Sequence, residues 1–170
     1  MNIKNFYNVS YDDLDLLVEK LYYKIEKDDF IPDTLLAIAR GGWFIGRVLS
    51  DIYSSKRIPV EVASVTTKFY TAIGKRSNRP IFTQELGASV FDQNVLIVDD
   101  VSDSGKTLNF IKKYVNWLGA SEVKTATVFL KPETDHIPNY YADEVFQDTW
   151  IIFPYEKRES EVEIKELQEK

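Results

Sequence analysis

Apolar residues along this chain alternate between short unbroken runs and stripes at helical spacing. Residues 34–39 (TLLAIA), 95–98 (VLIV) and 123–130 (VKTATVFL) are runs of the kind expected for interior parallel strands buried on both faces. Residues 59–67, rich in Val and Thr, read as a further strand, and residues 81–91 as one returning toward the middle of the chain. Between the runs come the stripes. Leu14, Leu17, Val18, Leu21, Tyr22 and Ile25 share one side of a helix. Ser10 is placed to cap it, Asp13 stands at the third helical position, and Phe30, Ile31 and Pro32 end the segment. A second helical pattern follows Gly41 and Gly42 through Tyr53. A third starts at Thr107, with Leu108, Ile111, Val115 and Leu118 on one face and Gly119 as C-cap. In the tail, Val162, Ile164 and Leu167 define no strong face, so a short helix or disordered chain is expected there. Strand–helix alternation with apolar strands predicts an α/β fold, a doubly wound and mostly parallel sheet. With no repeat and no linker, residues 1–170 read as a single domain.

Composition narrows the function. A chain of 170 residues with 44% hydrophobic and 28% charged residues is long enough for a sizeable core and has the balance of a soluble globular protein. No apolar run approaches membrane-span length and the N-terminus shows no signal-peptide pattern, so no membrane partner and a cytoplasmic location are expected. The absence of Cys excludes disulfides and thiolate metal sites, and a lone His136 argues against a His-rich zinc site or a Ser-His-Asp triad. A net charge of −6 argues against general nucleic-acid binding.

Chemistry concentrates where strands meet helices. The run 95–98 stops at Asp99 and Asp100, at a strand's carboxyl end, where open α/β sheets bind ligands. A loop with Ser102, Asp103, Ser104, Gly105, Lys106 and Thr107 then opens a helix. Unpaired N–H groups, the positive end of the helix dipole and the hydroxyls suit a phosphate. Ser104-Gly105-Lys106-Thr107 ends like a nucleoside-triphosphate loop, but the glycine that motif needs five positions before Gly105 is Asp100 here. Asp and Ser are also common caps of ordinary turns. Three acids at one strand end favour a ligand site, and paired carboxylates suit sugar hydroxyls and Mg²⁺. Together these features point to a phosphorylated, metal-bound sugar. Residues 34–39 likewise run into Arg40-Gly41-Gly42, readable as a tight turn or as a close approach to an anion.

Four apolar residues, two acids and a loop ending Ser-Gly-Lys-Thr resemble the motif that binds PRPP (5-phosphoribosyl 1-diphosphate) in type I phosphoribosyltransferases. The Arg40-Gly41-Gly42 turn resembles the diphosphate loop of that family, which implies a cis peptide at Ala39-Arg40. The segment 68–80, KFYTAIGKRSNRP, reads by itself as a solvated hairpin. By resemblance it is the mobile catalytic loop, starting at Lys68, and it leaves open which of Lys75, Arg76 and Arg79 meet the diphosphate. Lys131, at a strand end, resembles the lysine that reads the 6-oxo group in the 6-oxopurine members, although strand-end lysines commonly just reach for solvent. The stretch 138–156 resembles the base-binding hood of xanthine-guanine and archaeal hypoxanthine phosphoribosyltransferases, with Tyr155 where Trp is frequent.

The resemblance implies a small hood, built from the N-terminal segment and residues 131–156, over the α/β sheet. It implies transfer of the phosphoribosyl group of PRPP to N9 of a purine, with Mg²⁺ and a homodimeric or homotetrameric assembly. Asp99 and Asp100 would hold the ribose hydroxyls, directly or through Mg²⁺, and residues 103–107 the 5-phosphate. Arg40, Gly41 and Lys68 would serve the diphosphate, and Asp103 would act as general acid or base. Trp150, Ile151 and Lys131 would hold the base, and Glu156 would join Asp100 at the metal. Two alternatives stay open: adenine as the acceptor, and a non-catalytic sensor of PRPP or nucleotides on the same fold.

Overall fold

The computed structural model describes residues 5–72 and 75–168. Its main sheet has six strands: β2 (Thr34–Ala39), β3 (Glu61–Ala72), β4 (Lys75–Gln84), β5 (Asn94–Ser102), β6 (Glu122–Leu130) and β7 (Tyr140–Glu144). Their order is β4-β3-β2-β5-β6-β7, and all neighbours are parallel except β3 and β4. Four helices, α1 (Tyr11–Lys27), α2 (Gly42–Ser55), α3 (Lys106–Trp117) and α4 (Lys157–Gln168), complete the fold with two short strands, β1 (Asn5–Asn8) and β8 (Thr149–Ile152). No helix among the described residues is long and apolar enough to cross a membrane.

The strand runs predicted at 34–39, 95–98 and 123–130 lie in the middle of this sheet. Alternation sends successive side chains to opposite faces. Leu35, Ala37, Leu96 and Val98 pack under α1 and α2 with Leu14, Leu21, Ile45 and Leu49. Leu36, Ile38, Val95 and Ile97 pack on the other face under Leu108, Ile111 and Val115 of α3. Helices on both faces make the sheet doubly wound, as the apolar runs required. Ser10 and Asp13 form a reciprocal capping box at α1.

Two segments differ from their sequence expectations, and the tail takes the helical one of its two. The stretch 68–80 continues the strands: β3 and β4 form a long antiparallel ribbon with irregularities between Thr66 and Thr67 and between Phe69 and Thr71. The side chains of Lys75, Arg76 and Arg79 lie outside the described residues. The strand expected over 81–91 stops at Gln84. Past it, Leu86 and Val90 still pack into the core, but without ladder pairing; Phe91 is exposed and Asp92 takes a positive φ of 59°. The tail forms α4. Residues 131–156 also divide: β7 joins the main sheet beside β6, whereas β8 leaves it to pair in parallel with β1, Phe6 opposite Trp150.

Candidate functional site

Register brings the chemistry to one edge. β5 lies between β2 and β6, with Ala37 opposite Val98 and Ser102 opposite Leu130. The carboxyl ends of these strands therefore deliver Arg40, Asp99 to Ser102, and Lys131 side by side.

The turn after β2 is tight in a way that only glycine permits. A Cβ on Gly41 would stand 2.0 Å from Asp100 Oδ2, and one on Gly42 would stand 2.4 Å from the Val98 carbonyl oxygen. The backbone of this turn thus lies directly on β5. The Ala39–Arg40 peptide is cis. Arg40 leaves the turn toward α4, and its Nη2 donates to Glu159 Oε1 and Oε2 at 2.9 and 2.8 Å.

The loop after β5 turns at Gly105, whose φ of 70° is left-handed. Gly105 stands at the head of α3 with no side-chain cap, which leaves first-turn N–H groups for a ligand. The loop is backed by residues 134–136. Ser102 Oγ lies 2.9 Å from Thr134 Oγ1 and donates to the His136 carbonyl at 3.0 Å, and the Asp135 N–H donates to the Ser104 carbonyl at 3.1 Å. A cavity of about 250 Å³ opens here, lined by Asp99, Val101, Asp103, Ser104, Gly105 and Thr107 among others. Lys106 begins α3 and does not line it.

A second cavity, about 220 Å³, adjoins it and is bounded by Asp100, Val101, Asp103, Lys131, Trp150, Ile151, Phe153 and Glu156. Lys131 is only 5% exposed, so it does not reach for solvent; its Nζ lies 3.7 Å from Asp103 Oδ2. The buried Trp150 indole N–H has no partner among the described residues. A third cavity, about 400 Å³, is formed by Arg40, Trp43, Phe44, Tyr155, Glu156 and Glu159. Val101 and Asp103 belong to the first two cavities, and Glu156 to the last two. Neighbouring cavities of this cleft thus share wall residues.

Carboxylates crowd its floor. Burial pushes Asp99 well above the usual carboxylate range, and the charges of Asp100 and Glu156 push the same way. Burial raises Asp100 too, against the Val101 N–H and the Tyr155 hydroxyl, which hold it down. The Tyr155 hydroxyl is itself raised, by burial first and then by Asp100 and Glu156. No group of three or more His, Cys, Asp or Glu poised for a metal ion exists among the described residues. The donors Asp100 and Glu156 are nonetheless hard oxygens on one cavity wall, and so fit Mg²⁺ rather than a softer ion.

Of the residues singled out in the sequence, Arg40, Gly41, Asp99, Asp100, Asp103, Ser104, Gly105, Thr107, Lys131, Trp150, Ile151 and Glu156 gather around this cleft. Lys68 does not. It is exposed on β3 opposite Ile81 and lines none of the three cavities, because the strand carries it along the ribbon. Sequence patterns missed Gln147, Glu159 and the hydroxyl of Tyr155. Gln147 Nε2 donates to Asp103 Oδ1 at 2.9 Å. These residues stand in a loop and in polar positions near the C-terminus, where no periodicity marks them.

The profile of the family described as "Phosphoribosyl transferase domain" matches residues 10–159. A xanthine-guanine phosphoribosyltransferase of Desulfotalea psychrophila is 26% identical over 90% of this chain and 88% of its own. Another, from Roseobacter denitrificans, is 30% identical over 72% of this chain and 67% of its own. The crystal structure of a purine phosphoribosyltransferase from Pyrococcus horikoshii superposes with a TM-score of 0.77 at 32% identity, covering 89% of this chain and 94% of that one. The chain thus belongs to the type I phosphoribosyltransferase family, on the purine branch.

Proposed function

We propose that this chain transfers the 5-phosphoribosyl group of PRPP to N9 of a 6-oxopurine, releasing diphosphate. The observation that carries this reading is the order of the three cavities. A loop built for a monophosphate adjoins an aromatic-walled slot with a buried lysine, and that slot adjoins an arginine-lined cavity, with Asp103 and Glu156 at the two junctions. In this reading the three take the 5-phosphate, the base and the diphosphate, with the ribose C1′ between the last two. The second cavity carries the flat indole of Trp150, which suits stacking on a base. Its lysine has only donors to offer, which favours a 6-oxo group over an exocyclic amine.

In this reading the N–H groups and hydroxyls of residues 103–107 anchor the 5-phosphate. Asp99 and Asp100 hold the ribose hydroxyls. Arg40 and the Gly41 backbone draw the departing diphosphate, where negative charge accumulates as the C1′–O bond breaks. Asp103 exchanges a proton with the imidazole side of the purine. Asp100 and Glu156 would hold Mg²⁺, which supplies charge neutralisation for the diphosphate when bound.

The test is turnover with PRPP and Mg²⁺ against adenine, hypoxanthine, guanine and xanthine, beside an Asp103→Asn variant. Turnover of a 6-oxopurine that drops at least about a hundredfold in the variant supports the assignment. Turnover of adenine alone would retain the PRPP site and remove the role given to Lys131. PRPP binding without turnover of any base would mark a sensor instead.

A further inference from the structure

We infer that Gln147 is a positioning residue that fixes the orientation of the Asp103 carboxylate, and thereby the direction from which Asp103 meets the purine. The inference rests on the reading of Asp103 as the proton-transfer group.

The orientation of the Gln147 amide is fixed by its other end. Gln147 lies between β7 and β8, and its Oε1 accepts the backbone N–H of Glu133 at 3.1 Å. Turning the amide over would set its NH₂ against that N–H, so the oxygen must stay where it is. Nε2 is then obliged to donate, and it meets Asp103 Oδ1 at 2.9 Å. The other carboxylate oxygen faces Lys131 Nζ at 3.7 Å. An ammonium has three donors and no acceptor. Asp103 therefore accepts a hydrogen bond at Oδ1 and has a positive charge near Oδ2. The Gln147 bond restrains rotation of the carboxylate and leaves its remaining lone pairs for the cavity. At 48% exposure the Asp103 side chain keeps access to water, which allows a captured proton to leave.

The consequence for the reaction is specific. As the bond from purine N9 to C1′ forms, the C1′–O bond breaks and its electron pair leaves on diphosphate. The N7–H proton of the purine then passes to an Asp103 oxygen. Glu133 stands between Lys131 and the residues that back the phosphate loop, so Gln147 also ties the base slot to that loop. The titratable groups sharing the cavity with Asp103 are Lys131, Asp100 and Glu156, and Asp99 lines the adjoining one.

The experiment compares wild type, Gln147→Glu, Gln147→Met and Asp103→Asn, following kcat and KM for both substrates across pH. The glutamate variant keeps an acceptor for the Glu133 N–H but faces Asp103 with a second carboxylate. It should move the acid limb of the kcat/KM profile up by about one pH unit, a loss of about tenfold below that limb. KM for PRPP should change less than kcat/KM for the base, since Gln147 itself lines none of the three cavities. The methionine variant keeps the volume and loses both bonds; kcat should fall several-fold, with a smaller displacement of the limb. Circular dichroism and PRPP binding by calorimetry report whether each variant is folded. Wild-type limbs and kcat in both Gln147 variants, with Asp103→Asn inactive, would reduce Gln147 to packing and overturn the inference alone. Wild-type turnover by Asp103→Asn would overturn the reading of Asp103 and the inference with it.

Discussion

The Tyr155 hydroxyl lies 3.2 Å from Asp100 Oδ2, so a residue near the C-terminus supplies a donor to a carboxylate at the end of the central strand. The same oxygen is 3.3 Å from the Gly41 carbonyl, and its one proton serves either acceptor. The ring is held independently, stacked on Phe153 with centroids 5.2 Å apart and planes 5° apart. Tyr155→Phe should therefore keep the packing and remove only the donor. A partly buried carboxylate already pushed up by burial then loses a group that holds it down. We expect a loss of about 1–3 kcal/mol in unfolding free energy, read from urea denaturation of both proteins at neutral pH. An unchanged midpoint and slope would show that the hydroxyl contributes nothing there.

Glycines 41 and 42 separate two kinds of crowding. A methyl on Gly42 meets the Val98 carbonyl at 2.4 Å, and that backbone belongs to the central strand. A methyl on Gly41 meets the Asp100 carboxylate, a side-chain end held by the Val101 N–H at 2.7 Å. Gly42→Ala should cost stability as overpacking does, about 1–3 kcal/mol or more. Gly41→Ala should cost less, because Asp100 can turn aside, but it should raise KM for PRPP more, because Asp100 and the turn both face that ligand in the proposed site. Melting temperatures and kinetics of the pair give both orders, and equal effects in both assays would contradict this division.

The legible parts of the sequence were those with local causes. Leu35 to Ile38 and Val95 to Val98 are apolar at every position because α1 and α2 cover one face and α3 the other, and that shows in any single strand. Asp99, Asp100 and Gly105 announce themselves because strand end, turn and helix start are adjacent in the chain. The ribbon of β3 and β4 was harder, since a strand pair at the sheet edge needs no buried run and 68–80 has no clean periodicity. Gln147 was invisible: a neutral amide in a loop is defined only by partners that the fold brings from Asp103 and Glu133. Glu159 was hidden in the same way, by a partner in the turn after β2.

His136 is the chain's single histidine, so its titration can be followed without assignment. Burial pushes its pKa down from the ordinary 6.5, and Lys112 adds to this. Between the lowered folded value and the unfolded value, the unfolded chain binds more protons. The contribution of His136 to stability is thus fully present above about pH 6.5 and is lost as pH falls toward the folded pKa. Nuclear magnetic resonance of the imidazole should show a midpoint below 6.5. Wild type should lose stability relative to His136→Gln on moving from pH 7.5 to pH 5, and a difference that does not change with pH would refute the assignment. The variant comparison matters because Asp99 and Asp100, raised in the fold, slope the other way.

Arg40 and Glu159 make a different kind of prediction, because a carboxylate already stands on the guanidinium that the proposal gives to diphosphate. Both side chains are well exposed, at 64% and 52%, so the pair adds little to stability, about 0–1 kcal/mol. Its effect should appear in binding instead. PRPP must displace Glu159 before Arg40 can engage, and Glu159→Gln removes that competitor without shortening the side chain. KM for PRPP should fall by about two- to fivefold, the kinetic equivalent of an exposed ion pair. The melting temperature should stay unchanged. Because exposed pairs are screened, the gap between wild type and variant should shrink as salt is raised. Arg40→Gln should raise KM for PRPP and make the Glu159 substitution silent in the double variant. A KM that is insensitive to Glu159 in low salt would mean that the contact does not compete with ligand.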